Sequence, residues 1–346
     1  MTILKHTSYE KMSESLNKWR LSKSDYSLFN KTKWVVTEKI HGANFCIHTD
    51  GKTIKFAKRK KILPEEEDFF GHISLKEYLG PKILKLFALI KEINEKIVQI
   101  SVYGELFGGE YPHPEVPPNP NIQAIQTGIY YSPNIELCIF DIAFTDGSGN
   151  RDYLDFNLLE NFCKQLSLFF TEPLFIGKFN EAINYKLGFK TSIPRKLGYP
   201  PLKNVENKAE GIVIKPYKSF FITTNKGELR PVLKKKIPEF SEDKRYQQAR
   251  KWDYSQQYKK KQKIKVDEKF LENEVIPLIT RQRLNNAISK VGKLTKKNKK
   301  KIRNELTEDV LETLNDNFNN FFENLKQDKK EMILEVISKQ ISKLIK

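Results

Sequence analysis

The sequence predicts an α+β chain of 346 residues, in which residues 1–243 fold around antiparallel sheets with flanking helices and residues 244–346 are all helical. Three observations carry this expectation. Alternating runs are joined by Asp-Gly and Asn-Lys-Gly turns, a hairpin signature. A stretch holding Pro112, Pro114, Pro117, Pro118 and Pro120 separates two longer strand-like runs. After Phe240 glycine is almost absent, and apolar residues recur at helical spacing.

The elements follow in order. From Trp34 to Lys61 the pattern is strand-like: Val35 and Val36, then Phe45 to His48, a Thr49-Asp50-Gly51-Lys52 turn, and Thr53 to Ala57. Ile83, Leu86, Phe87, Ile90, Ile93 and Ile97 give the segment from Ser74 to Ile97 one apolar helical face, with Pro81 expected in its first turn. Strands return from Ile100 to Phe107 and from Glu136 to Phe144, and the prolines between them favour a stiff loop. Asp155 is placed to cap a helix running to about Leu166. Later strands are expected from Glu210 to Lys215, Phe220 to Thr224 and Leu229 to Lys236. Amphipathic patterns then cover Phe270 to Ile279, Leu306 to Leu325 and Met332 to Ile345. The pairs Phe169-Phe170 and Phe321-Phe322 read as core.

Composition narrows the function. With 39% hydrophobic and 12% aromatic residues the chain is not disordered, and a net charge of +18 favours a polyanionic partner. A lysine-rich, low-GC genome, such as that of a phage or large DNA virus, is the rival source of that charge. Half of the excess lies beyond Lys251, where 23 basic residues face 14 acidic ones, and Arg281 to Arg303 holds ten basic residues and no acidic one. The three cysteines, Cys46, Cys138 and Cys163, have no metal-ligand spacing, which argues against a zinc site or a disulfide framework. No apolar run suits a leader or a membrane span, so a soluble monomer is expected in the cytoplasm, or in a host cell's cytoplasm if the source is viral.

The sharpest motif is Glu38-Lys39-Ile40-His41-Gly42-Ala43-Asn44-Phe45, where one strand gives way to the next. A lysine three residues before a glycine suits a nucleophile, with Gly42 letting the backbone approach a nucleotide and Asn44 within reach of phosphate or ribose. Lys234 and Lys236, two apart on a strand, share a face. There they either lower the nucleophile's pKa and neutralise phosphate, or simply blunt an edge strand. Glu105 and Glu210 are carboxylates in apolar strand contexts, which need partners. Each is either a ligand-binding group or half of a buried ion pair. Phe140 by itself reads as core. His41 is either an acid–base group or a loop histidine held by a hydrogen bond.

Five blocks in order, EKIHGANF (Glu38 to Phe45), YGELFGG (Tyr103 to Gly109), IFDI (Ile139 to Ile142), EGIVIKP (Glu210 to Pro216) and LKKK (Leu233 to Lys236), resemble the covalent nucleotidyltransferases. Within these the chain is similar to the RNA ligase 2 family of nick-sealing RNA ligases, where KIHG stands in place of the KxDG of DNA ligases and capping enzymes. The resemblance covers residues 1 to 243 closely. It implies a ligase-type nucleotidyltransferase domain and three steps: Lys39 takes AMP from ATP, AMP passes to an RNA 5′-phosphate, and a 3′-hydroxyl attacks that end. It also implies Mg²⁺ or Mn²⁺ held by Glu210, ribose accepted by Glu105, adenine stacked on Phe140, and nucleotide contacts from Glu10, Glu38, Ile40, Asn44, Arg59, Lys215, Lys234 and Lys236. The expected partner is RNA with 3′-hydroxyl and 5′-phosphate ends, in nicked duplex RNA or an RNA/DNA hybrid, gripped by the basic helical part. A capping guanylyltransferase, an ATP-dependent DNA ligase and a non-catalytic RNA-binding relative are the alternatives.

Overall fold

The computed structural model describes residues 4–19, 21–203, 205–224, 227–240, 266–318 and 321–345. Two compact units divide the chain, Met1–Lys236 and Ile237–Lys346. The expected boundary at residues 243 and 244 lies outside the described residues.

The first unit is built on two antiparallel sheets. Strands β1 (Lys33–Glu38), β2 (Ala43–Thr49), β3 (Ile54–Lys58), β4 (Lys61–Ile62), β5 (Ile97–Glu110), β6 (Ser132–Asp146), β7 (Arg151–Tyr153), β8 (Pro173–Lys178), β9 (Gly211–Pro216), β10 (Ile222–Thr224), β11 (Gly227–Leu229) and β12 (Leu233–Lys236) occur in that order. Six form one sheet in the order β4-β3-β2-β5-β6-β7, four form another in the order β12-β9-β1-β8, and β10 pairs with β11. Residues 39–42 carry the chain from β1 in the smaller sheet to β2 in the larger, so the Lys39 motif crosses between sheets. Gly42 is required at that crossing, because a Cβ there would stand 2.0 Å from the Leu106 carbonyl oxygen.

Helix α1 (Lys23–Lys31) begins with a capping box, in which Ser22 Oγ accepts from the Asp25 amide and the Asp25 carboxylate accepts from the Ser22 amide. Helix α2 (Lys76–Ile93) buries Leu79, Ile83, Leu86, Phe87 and Ile90 against the larger sheet, as its spacing predicts. A 3₁₀ turn, His72–Leu75, leads into it, so Pro81 lies one turn deeper than expected, and Ile97 starts β5 instead of ending the helix. Helix α3 (Phe156–Gln165) follows Asp155, but the Asp155 carboxylate accepts from the Ser219 amide and does not cap the helix. Short helices α4 (Phe179–Ile183) and α5 (Ile193–Lys196) flank the smaller sheet's strands in sequence. The strand expected from Leu229 to Lys236 is divided at Pro231 into β11 and β12, since proline cannot donate to a ladder.

The second unit is helical among its described residues. A turn at Glu268–Phe270 continues through Leu271–Val275 and Ile276–Leu278, followed by α6 (Arg281–Val291), α7 (Lys299–Asn317) and α8 (Gln327–Leu344). Ile302, Leu306, Val310 and Leu314 on α7 and Ile333, Ile337 and Ile341 on α8 recur every four residues and are at most 1% exposed. The pattern expected from Leu306 to Leu325 breaks at Phe318, where the ring turns back onto Phe270 and Phe321.

Candidate functional site: a cationic cleft in the first unit

The cleft encloses about 470 Å³, a space open to solvent. Its lining includes Glu38, Lys39, Ile40, Asn44, Glu105, Phe140 and Lys215, with Tyr9, Met12, Thr37, Thr171 and Val213 completing it. Seven residues chosen from the sequence motifs therefore meet at one cavity. The ladders explain how. Asn44 on β2 lies opposite Glu105 on β5, so these two polar side chains share a face. On β6 the register slips, Tyr103 facing Asp141 and Gly104 facing Ile139, which leaves Phe140 as the extra residue of a bulge. The bulge presents the Phe140 ring to the cavity while Asp141 is wholly buried.

At one side of the cleft a single carboxylate gathers three cationic or cation-forming groups. Lys39 Nζ lies 2.7 Å from Glu210 Oε2, His41 Nδ1 lies 3.2 Å from the same oxygen, and Lys236 Nζ lies 3.2 Å from Oε1. Burial alone would raise the Glu210 carboxyl, but Lys39, Lys236 and His41 hold it well below the usual carboxylate range. Glu105 has no such cluster. Burial dominates there, Lys39 offsets it in part, the neighbouring Glu210 adds to it, and the carboxyl is raised to about 7.

A second ionic cluster lies behind Phe140. Arg230 donates to both oxygens of Asp141, Nη1 to Oδ2 at 2.6 Å and Nη2 to Oδ1 at 3.3 Å, and Tyr9 Oη donates to Oδ2 at 2.7 Å. Lys215 Nζ is 3.3 Å from Asp141 and donates to the Phe140 carbonyl at 2.5 Å. Burial lowers the Lys215 ammonium to about 8 against the pull of Asp141. The Lys215 stem lines the cavity while its charged end is engaged under the Phe140 backbone.

Other expected site residues stand differently. Glu38 lines the cavity, but its carboxylate accepts from Thr191 Oγ1 and from the Ser192 amide and hydroxyl at 3.0 and 2.9 Å, so its charge faces that turn. The carboxylate of Glu10 accepts from Tyr153 Oη, and its neighbour Tyr9 occupies the cavity wall, edge-on to Phe140 at 5.0 Å between ring centroids. Lys234 and Lys236 share a face of β12, with the Lys235 ammonium donating instead to the Ile183 carbonyl, and Lys236 reaches Glu210. Lys234 is paired with Glu14 at 3.2 Å. Arg59 is half-buried and lowers the Glu105 carboxyl by its charge, while its backbone carbonyl accepts from Ser8 Oγ.

Tyr9, Thr171 and Arg230 are site components that the motifs did not yield. Tyr9 stands beside Glu10 in a segment singled out for its place in the chain. Thr171 follows the Phe169-Phe170 pair, and Arg230 precedes a proline between strands; neither carries a local signal, because each acts across the fold.

Among the described residues no group of three or more His, Cys, Asp or Glu could cage a metal ion. The charged Glu210 carboxylate, with Glu105 nearby, suits a Mg²⁺ or Mn²⁺ ion instead. Such ions bind through one or two carboxylates and substrate phosphates. That ion would supply charge screening.

The family model described as RNA ligase matches residues 32–236, and that of the T4 RNA ligase 2 C-terminal region matches residues 260–343. RNA-editing ligase 2, mitochondrial, of Trypanosoma brucei brucei is 32% identical over 206 residues, covering 53% of this chain and 48% of that protein. RNA-editing ligase 1, mitochondrial, of the same organism is 27% identical over 235 residues, covering 61% and 50%. A solved structure of Naegleria gruberi RNA ligase with PPi has a TM-score of 0.42 at 17% identity, covering 66% of this chain and 56% of that one. The chain thus spans about half the length of the curated relatives it matches. With more than half of its residues matched by the RNA ligase model, the chain belongs to the RNA ligase family.

Proposed function

We propose that the protein is an ATP-dependent RNA ligase that joins 3′-hydroxyl and 5′-phosphate ends through a lysyl-AMP and an RNA-adenylate. The observation that carries this reading is the Lys39 amine held on Glu210 at the wall of the cavity that also contains Phe140, Glu105 and Asn44. The Lys39 side chain attacks the α-phosphorus as the neutral amine, the form that carries a free electron pair. Its partner in that ion pair is also the carboxylate best suited to a divalent ion. Lys236, paired with the same carboxylate, is placed to neutralise phosphate charge. Attack forms the N–P bond and expels pyrophosphate. The 5′-phosphate of RNA then takes AMP from Lys39, and the 3′-hydroxyl displaces AMP from that end.

Nicked duplex RNA or an RNA/DNA hybrid is the proposed substrate, supported by the match of residues 260–343 to the T4 RNA ligase 2 C-terminal model. The surface of the second unit adds to this reading. Lys293, Lys296, Lys297, Lys299, Lys300 and Lys301 are all exposed and form no ion pair among the described residues. They suit sequence-independent contact with phosphates.

Incubation with labelled ATP and Mg²⁺ is expected to give a covalent protein adduct that survives alkali but is cleaved by acid, as a phosphoramidate is, and that is absent in Lys39→Ala. An adduct formed equally by Lys39→Ala would sink the mechanism. Label from GTP but not ATP would point to a capping enzyme, and sealing of all-DNA nicks alone would point to a DNA ligase.

A further inference from the structure

The cavity wall holds a buried, unpaired hydroxyl that the chemistry above leaves unused. Thr171 lies between Phe170 and β8, where the chain passes from one sheet to the other. Its amide donates to the Ile139 carbonyl at 2.8 Å, and the Ile139 amide donates to the Phe169 carbonyl at 2.9 Å, which ties this segment to β6 next to Phe140. Two residues on, Pro173 pairs with Thr37 of β1. Thr171 is 4% exposed, and its hydroxyl oxygen is buried with no hydrogen-bond partner among the described residues. It nonetheless lines the cavity with Phe140, Thr37 and Val213. Leaving a buried hydroxyl unpaired is costly, and valine would fill the same volume without that cost. The Tyr9 hydroxyl in the same wall, by contrast, is satisfied by Asp141.

We propose that Thr171 Oγ1 is a base-recognition contact, accepting a hydrogen bond from the 6-amino group of adenine. The inference rests on reading the cleft as the ATP site. In that reading the α-phosphate stands at Lys39 and the ribose at Glu105, so a purine laid on Phe140 turns the ring edge bearing its 6-substituent away from the glycosidic bond. Thr171, tied to β6 beside Phe140, offers that edge an acceptor. The Lys215 ammonium is already committed to Asp141 and the Phe140 carbonyl. The contact makes the 6-substituent count. It does not by itself exclude 6-oxo purines, to which the same hydroxyl can donate.

The test is a cycle of two proteins and two nucleotides, read as lysyl-AMP-type adduct formation in single turnover. Wild type and Thr171→Val are each given ATP and purine riboside 5′-triphosphate, which lacks the amino group. With ATP, Thr171→Val is expected to need about tenfold more nucleotide for half-maximal rate, the saturating rate being unchanged. Wild type should show a similar loss on the deamino nucleotide, and the variant no further loss. Thr171→Ser, which keeps the hydroxyl, should restore preference for ATP and guards against a folding defect in the valine variant. Equal ATP use by wild type and Thr171→Val would overturn the assignment, as would two losses that simply multiply. If wild type forms no adduct with either nucleotide, the ligase reading itself falls and takes this assignment with it.

Discussion

Two buried carboxylates of the first unit, Glu210 and Asp141, are built alike and behave differently. Each is at most 2% exposed, and each draws several basic groups toward it. Around Asp141 the partners are sealed in, with the Lys215 and Arg230 side chains 4% and 2% exposed, and Tyr9 completes the shell. Around Glu210, Lys39 is 15% exposed and lines the cavity, so its ion pair can be exchanged for a ligand. A closed cluster fixes the position of Phe140, whereas an open one can do chemistry. Removing Lys39 should therefore abolish adduct formation without unfolding the protein, since Glu210 keeps Lys236 and His41. Removing Asp141 should act chiefly on stability. Asp141→Ala leaves Arg230 and Lys215 buried without a counter-charge, and a loss of about 3–5 kcal/mol is expected in urea unfolding of the full chain. An Asp141→Ala protein of wild-type stability would break the contrast.

The contrast also marks what the sequence could reveal. Lys39, Glu105, Phe140, Glu210 and Lys236 stand in compact motifs, each with its chemistry in a few neighbouring residues, and the first three line one cavity, with Glu210 paired to both lysines. Arg230, Tyr9 and Thr171 were illegible because their roles depend on contacts across 89, 132 and some 30 positions of chain, which no window contains. Strand and helix periodicity located most of the fold. It missed β8, none of whose residues is buried, and α1, which buries only Phe29. Glu38 and Lys234 show a further limit: their places were legible, but not the Thr191–Ser192 turn and Glu14 that engage their charges.

A smaller effect concerns how Tyr9 is held in the wall. The segment that carries it lies along the larger sheet. Lys5 and Gln99 exchange two hydrogen bonds, and Tyr103 Oη donates to the Thr7 carbonyl. His6 Nδ1 lies 2.9 Å from His48 Nε2, and His48 Nδ1 lies 2.9 Å from Ser101 Oγ. Burial, with His6 and Arg151 nearby, pushes the His48 imidazole down to about 3 from its ordinary 6.5. The unfolded chain thus binds a proton that the folded chain refuses. The stability contributed is present above pH 6.5 and is lost as the pH falls from there toward 3. Between pH 7 and pH 5 the loss from His48 should be about 2 kcal/mol, visible as a falling urea midpoint. His48→Gln should flatten that slope, and an unchanged slope would show that the histidine pair does not control it.

The second unit supplies cations of a third kind, exposed lysines with no carboxylate partner among the described residues. Its basic run divides in the structure. Arg283 is bound to Asp309, Lys290 lies 3.0 Å from Glu305, and Arg303 donates to Ser338 and Ser342 at 3.1 and 2.9 Å, so these three hold helices together. The six exposed lysines from Lys293 to Lys301 hold nothing within the described protein. If they meet phosphates, each contact releases a counterion, and log affinity falls with log salt by about 0.9 per contact on a duplex. Lys296→Ala/Lys297→Ala/Lys300→Ala in the full chain should therefore weaken nicked-duplex binding and lower the salt slope by about 2–3, leaving lysyl-AMP formation unchanged. Arg283→Met should do the reverse, lowering the unfolding midpoint while the salt slope of the remaining folded protein stays the same. A triple variant that kept the full slope would put the RNA-binding charge elsewhere and leave the lysine run as a solvated surface.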